Sequence, residues 1–398
     1  MESMKTTSAL ILIIGLTSCL SFGQWPQFLG PQGTGLSEEA LPADPKPVKK
    51  WEQSIGKGFS SLSVMDGLVY TLGFADGKET VWCLNLETGT PLWTHSYPAK
   101  LLPNLHEGGP AATPTLFGDA VFTLGKEGLG FCLNRKTGEV IWQIDVNERF
   151  TLKTPEWGYA SSGREADGRL ILDVGPTICL DASTGKTIWK TKPFKAGYGS
   201  PTFFDQDEKR YCAVLNNEGL IVLQTSDGGI VDFYAWPTSF ETNATTPIYR
   251  NRALFISTAY NKGCALLAFD GTHLTRVYEN KDMRNHMNNS VPVGEHLIGF
   301  DRKAHNRRLV KLRCMEWKSG RITWEQEELG CGSLIRAKDR LIILSDQGEL
   351  VLAEATAAAY VELSRFKILE GKCWTHPVWV NGRLLARNAA GTLVCYQL

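Results

Sequence analysis

Aromatic rings, amides, one arginine and three histidines recur in six short segments. These are 104–114 (NLHEGGPAATP), 155–163 (PEWGYASSG), 195–201 (KAGYGSP), 240–247 (FETNATTP), 280–292 (NKDMRNHMNNSVP) and 371–377 (GKCWTHP). The side chains in them with ligand-binding chemistry are Trp157, Tyr159, Asn243, Arg284, His286, Asn288, Trp374 and His376, joined by His106, Glu107 and Tyr198. Rings stack on flat ligands, amides read polar edges, and an arginine or histidine receives an anion. Gathered at the mouth of a channel, they suit a small polar or sugar-like molecule. They equally suit the lining of a wet channel, where polar side chains satisfy backbone groups. Arg284 and His286 stand out because the density of RNHMNN has no strand or turn logic behind it.

No familiar catalytic motif accompanies them. The sequence holds no H-E-x-x-H, no G-x-S-x-G and no P-loop, and GKEGLG at 125–130 reads as a hairpin turn between strands rather than a phosphate cradle. Asp205, Asp207 and Glu208 lack EF-hand spacing and read as a solvated hairpin tip. Without a Cys-x-x-Cys, zinc and thioredoxin-type chemistry have no support. No catalytic residue and no metal ligand set is assigned. Lys plus Arg and Asp plus Glu number 42 each, so no net field attracts nucleic acid or anionic lipid.

The elements that must position these segments come from a repeat. CLNLETGTPLW at 83–93 returns as CLNRKTGEVIW at 132–142 and CLDASTGKTIW at 179–189. Anchored on its Cys or Ala, the unit falls at 83, 132, 179, 223, 268, 314, 353 and 395. A period in the forties with several short strands per unit is that of a propeller blade. Ten residues after the anchor come Trp93, Trp142, Trp189, Phe233, Tyr278 and Trp324, and Trp51 lies one period upstream of Trp93. The reading is therefore all-β: an eight-bladed propeller of four-stranded antiparallel blades over 50–398. The N-terminal strand carrying Trp51 completes the last blade, which removes the open edges. The Thr-Gly or Ser-Gly pair makes the turn between strands, and a polar or small residue followed by Pro marks most inner strands (Thr113-Pro114, Ser200-Pro201, Thr246-Pro247, His376-Pro377). Cys83, Cys132, Cys179, Cys314 and Cys395 share one tight core slot and are expected as free thiols, whereas Cys212, Cys264, Cys331 and Cys373 stay open. A Pro-rich lead-in, 24–49, is expected to lie extended on the propeller surface.

Residues 1–23 read as an export signal: Lys5 precedes ALILIIGLTSCLSFG, too short to span a bilayer. Two processing sites are legible, cleavage before Gln24 and a lipobox-like LTSC that would lipidate Cys19. An exported, periplasmic or secreted monomer that is not integral to the membrane is expected.

The Ala/Cys-Leu-Asx-x-x-Thr-Gly-x-x-x-Trp unit resembles the pyrroloquinoline quinone (PQQ) repeat of quinoprotein dehydrogenases and of their eight-bladed relatives, including the outer-membrane-assembly propeller lipoprotein. WPQFLGP at 25–31 is similar to the lead-in of exported PQQ-like propellers. The resemblance covers about residues 50–398. It implies either a binding or scaffold protein, with a small polar ligand at the channel mouth or an envelope protein as partner, or a PQQ-dependent oxidoreductase using calcium. The enzymes carry an adjacent Cys-Cys disulfide and longer blades, both missing here, so the binding reading leads.

Overall fold

The computed structural model describes residues 23–398 apart from 105 and 304–308. The leader and Cys19 thus lie outside the described residues, Gly23 excepted.

Eight antiparallel sheets form the blades of a propeller. Blade 1 runs outward through Ser63–Met65, Leu68–Ala75, Lys78–Asn85 and Pro91–Pro98. Blades 2 to 7 repeat that order from the innermost strands Thr115–Phe117, Arg164–Ala166, Thr202–Gln206, Ile248–Arg250, Val291–Val293 and Ser333–Ala337. Blade 8 takes Val378–Val380, Arg383–Arg387 and Thr392–Gln397 from the C-terminal end and its outer strand, Val48–Ser54, from the N-terminal end. Trp51 there faces Cys395, so the ring closes as the spacing predicts. Two details depart from eight plain four-stranded blades. Blade 7 gains a fifth strand, Leu36–Ser37, parallel to its inner strand, and one helical turn, Val146–Phe150, follows blade 2, capped by the Asp145 carboxylate.

The repeat motif is an interlock between neighbours. Trp51 Nε1 donates to the carbonyl of Leu86 at 2.8 Å, Trp93 to Arg135 at 3.0 Å, Trp142 to Ala182 at 3.0 Å, Trp189 to Thr225 at 3.1 Å and Trp324 to Thr356 at 3.2 Å. Each acceptor sits in the turn of the next blade, and in all but the last of these joints, whose turn at 355–360 has no glycine, the indole lies on the turn's glycine. A Cβ at Gly89, Gly138, Gly185 or Gly228 would come within 2.5–2.7 Å of the preceding blade's tryptophan. These glycines therefore answer two demands, a positive φ of 67–76° and a flat seat for an indole.

The register differs from the sequence reading in three blades. Asp232 faces Val222 where an aromatic faces the anchor elsewhere, leaving Phe233 exposed. In blade 5 Tyr278 keeps the aromatic place but faces Leu266, not Ala268, and in blade 7 Ser364 faces Leu352. In blades 5 and 7 the turn is two residues longer than the Thr-Gly turn, whereas blade 4 keeps its length and hydrogen bonds and the count of ten holds from Val222, one residue before the Leu223 taken as anchor. All nine described cysteines are free and buried in the blade layers.

Inside the ring a second interlock explains the polar residue at each strand entrance. The backbone N–H of Ser61 donates to Thr113 Oγ1 (3.2 Å), Thr113 to Ser162 Oγ (2.9 Å), Ser162 to Ser200 Oγ (3.0 Å) and Ser200 to Thr246 Oγ1 (3.1 Å). The relay continues from Thr246 to Asn289 Oδ1 (3.2 Å) and from Asn289 to His376 Nε2 (3.3 Å). The Ser61 hydroxyl returns it to the His376 carbonyl at 3.1 Å.

The lead-in does not stay on the surface. Trp25 and Val64 exchange backbone hydrogen bonds at 2.8 Å, the Pro26 carbonyl accepts from Leu116, and Leu36 pairs with Arg336. Glu39 accepts from Asn381 N at 2.8 Å. Trp25 and Leu29 are buried. The segment crosses the end of the channel opposite the strand entrances, because its apolar residues have more to gain against the inner strands than in water.

The indole carries both a hydrogen bond and most of the packing at each blade joint. Trp142→Phe, which keeps a ring, is expected to cost about 1 kcal/mol, and Trp142→Ala about 3–5 kcal/mol. Urea unfolding of the two variants checks the order.

A blind aromatic cavity with a buried lysine

The strand entrances and the hairpins between second and third strands open on the same end of the ring. There the channel widens into a cavity of about 460 Å³. Its floor is Phe28 of the lead-in, edge-on to His376 at 5.3 Å between ring centres. Its walls are ring pairs. His106 stacks on Trp157 (5.6 Å, 28°) and Phe59 on Trp374 (5.6 Å, 25°), while Tyr260 meets His286 edge-on at 4.8 Å. The Tyr260 hydroxyl also lies 3.2 Å from His286 Nε2. Lys372, paired with Glu107 at 2.9 Å, covers the Trp374 ring at 4.4 Å.

Of the residues singled out in the sequence, Trp157, His286, Trp374 and His376 line this cavity, together with His106 and Tyr198. The other four are committed to the scaffold. Tyr159 is buried and donates to Asn147 Oδ1 at 2.8 Å. Asn243 is fully buried, its amide donating to the carbonyls of Asn216 and Trp236 and its oxygen accepting from Thr258. Asn288 donates to the Gly332 carbonyl. Arg284 makes two 2.6 Å bonds to Asp301, a carboxylate that also holds Arg313 at 3.0 Å. The density of RNHMNN thus serves a buried ion pair and a loop fold, with His286 and Met287 the members that reach the cavity.

Sequence reasoning missed Phe28, Phe59, Tyr260, Arg302 and Lys126. The last two sit where the second strands of blades 6 and 2 end, on hairpins that share the cavity's end of the ring with the entrance loops. GKEGLG is a hairpin turn, as read, yet it also places Lys126 in the wall.

Lys126 is 2% exposed. Its backbone N–H donates to Glu79, and the Glu79 carboxylate also takes the Tyr97 hydroxyl. The lysine ammonium itself has no hydrogen bond or ion pair among the described residues. Burial lowers its pKa from 10.5 to about 8 against the upward pull of Glu79. His106 is brought down to about 4 by burial first and then by the Lys126 charge, so it stays a neutral ring at pH 7. His376, fully enclosed, falls to about 4 for the same first reason, consistent with its accepting role in the relay. Among the described residues Lys126 and Arg302 are the charged residues lining the cavity apart from its histidines, and no Asp or Glu lines it.

The geometry defines a class first: a closed, tryptophan-locked repeat propeller with one blind polar-aromatic cavity. A family model described as outer membrane protein assembly factor BamB matches residues 48–158 and 133–362, and the chain belongs to this family of PQQ-like propellers. A polyvinylalcohol dehydrogenase from Sphingopyxis sp. is 31% identical over 119 residues. That match takes in 28% of this chain and 17% of the dehydrogenase, so the chain spans only a small part of that relative. BamB from Moraxella catarrhalis superposes with a TM-score of 0.65 at 14% identity, covering 89% of this chain and 98% of that one. A europium-containing methanol dehydrogenase gives 0.72 at 10% identity, covering 94% and 98%. The quinohemoprotein alcohol dehydrogenase of Comamonas testosteroni gives 0.70 at 12%, covering 94% and 80%. The fold is therefore common to proteins named as dehydrogenases and to one named as an assembly factor.

Two stability outcomes follow from the charged groups. Below about pH 8 Lys126 is protonated folded and unfolded, so its desolvation is a full cost to the fold. The cost shrinks between pH 8 and 10.5 and vanishes above. Lys126→Met should stabilise the protein by about 3 kcal/mol at pH 7, with the gain fading toward pH 10.5, as read by denaturant midpoints across pH. Arg284→Met should cost about 3–5 kcal/mol by stranding part of Asp301, and should leave ligand affinity at the cavity unchanged in calorimetric titration.

Proposed function

We propose that this is an exported binding protein that takes a small ring-shaped polar ligand into the blind cavity. The observation that carries the reading is the cavity itself: paired rings on its walls, a closed floor, and a volume in the range of small-molecule sites. A chain that needed only a wet channel has no use for a floor built from a separate segment. The leader-like 1–23 and the family's assembly-factor description support a place in the cell envelope, and among the described residues no helix is long and apolar enough to cross a membrane.

The partner version of the reading has weaker support. The exposed apolar residues of the outer strands, Val48, Leu92, Val140, Ile141, Ile188, Ile230, Phe233, Val277 and Leu363, are spread over seven of the eight blades. They ring the perimeter and do not gather into one patch of the kind that marks a protein interface. The oxidoreductase version, with PQQ and calcium, does not fit the residues present. Calcium takes oxygen ligands led by carboxylates, and among the described residues no Asp or Glu lines the cavity. Among the described residues no group of three or more His, Cys, Asp or Glu is placed to hold a metal ion.

Thermal unfolding with a panel of ring compounds, including sugars, aromatic acids and amides, and PQQ with and without calcium, tests the reading. A ligand at a hundredfold over its dissociation constant adds about 2.7 kcal/mol. We expect at least one calcium-independent stabiliser whose effect disappears in Trp157→Ala and Trp374→Ala. If nothing in the panel shifts the midpoint, or if only PQQ with calcium does, the reading fails.

A further inference from the structure

We infer that the ligand is a ring bearing a carboxylate, and that the Lys126 ammonium receives that carboxylate. The inference rests on the cavity being a ligand site, as proposed above, and names the chemistry of what enters it.

Lys126 is held in place. Its stem runs along Gly158, where an added Cβ would lie 2.6–2.8 Å from its Cγ, Cδ and Cε. Gly158, at φ +69°, is seated by hydrogen bonding to Pro155 in the loop that carries Trp157. The stem and the Trp157 ring are thus fixed by one short loop. The carboxylate near enough to act on the ammonium, Glu79, is occupied by the Tyr97 hydroxyl and the Lys126 backbone. The wall offers no other acid. A buried ammonium that attracts its nearest carboxylate without a direct hydrogen bond or ion pair is costly, and evolution usually removes it or pairs it directly. Here it lines a cavity, so the missing partner can come with the ligand.

The surroundings specify the rest of that ligand. Trp157 and His106 lie beside the lysine as a stacked pair, which calls for a ring rather than an open-chain acid. Arg302, four blades away, gives the opposite wall the same sign of charge. A neutral sugar would use the rings and leave Lys126 unpaired; a cationic ring would meet two like charges.

Calorimetric titration, with tryptophan fluorescence as a second readout, separates the outcomes. Two matched pairs are used as probes: 2-naphthoate against 2-naphthamide, and galacturonate against galactose. We expect one acid to bind at least tenfold more tightly than its uncharged partner. That preference should survive in Lys126→Arg and disappear in Lys126→Met, which keeps the affinity for the uncharged probe. The pair that responds distinguishes an aromatic acid from a sugar acid. Equal affinity for acid and neutral probe, or a preference that persists in Lys126→Met, overturns this inference and leaves the cavity as a ligand site. No binding by any of the four probes overturns both.

Discussion

One contact repeats around this molecule, the indole of one blade resting on the turn glycine of the next while its N–H meets a carbonyl beside that glycine. A sheet with two apolar faces cannot stand alone in water, and eight such sheets bury those faces only if each is held at a fixed angle to its neighbours. The tryptophan supplies both terms, a large area to bury and a single hydrogen bond that sets the angle. Because the acceptor is backbone, the joint asks for one large ring and one glycine and leaves most neighbouring side chains free. Blades 4 and 7, with Asp232 and Ser364 in the aromatic place, show that a ring of eight tolerates joints built otherwise once the rest are locked.

The inner relay of Ser61, Thr113, Ser162, Ser200, Thr246, Asn289 and His376 adds a second constraint with a functional result. From Thr113 to His376 these side chains accept from the preceding member and the Ser61 hydroxyl donates to the His376 carbonyl, while Ser61, Ser162, Ser200 and His376 also line the cavity. Side chains one or two positions away in the entrance loops, and those on the second-to-third-strand hairpins, are released from that duty. The cavity draws on this second circle as well. Proteins named as an alcohol dehydrogenase and as an assembly factor share the fold, as expected of joints that leave the loops at its ends free to vary.

This division explains what the sequence made legible. The blade count, the shared eighth blade and the role of Trp51 followed from spacing, because the interlock repeats with the same residues each time. Phe233 misled because blade 4 has neither Cys nor Ala at the anchor, and Leu223 was taken for it where the pairing uses Val222. Arg284 was chosen for its polar company, yet its partner Asp301 sits 17 residues on in a strand, a distance no local pattern reveals. Lys126 was passed over because a Gly-Lys-Glu-Gly turn is an ordinary hairpin in one dimension. Only the ring geometry shows that such a hairpin opens onto the same mouth as the entrance loops. Phe28 was hidden for a related reason, since a Pro-rich lead-in carries no periodicity that says where it docks.

The shared eighth blade also fixes an order of events in time. Val48–Ser54 leaves the ribosome long before Thr392–Gln397, and the lead-in that floors the cavity leaves earlier still, yet both have their seats only after blades 7 and 8 exist. Until then Val48–Ser54 is an unpaired strand, and an unpaired strand is a template for pairing with other chains. Contacts between the two ends of a sequence are slow to form, so closure is the late and hazardous step of folding. The lysines of VKKWEQS fit that interval: Lys49 and Lys50 put charge on the waiting edge and discourage association with another copy. The cavity is therefore completed late, since Phe28 joins its lining only when the lead-in has docked.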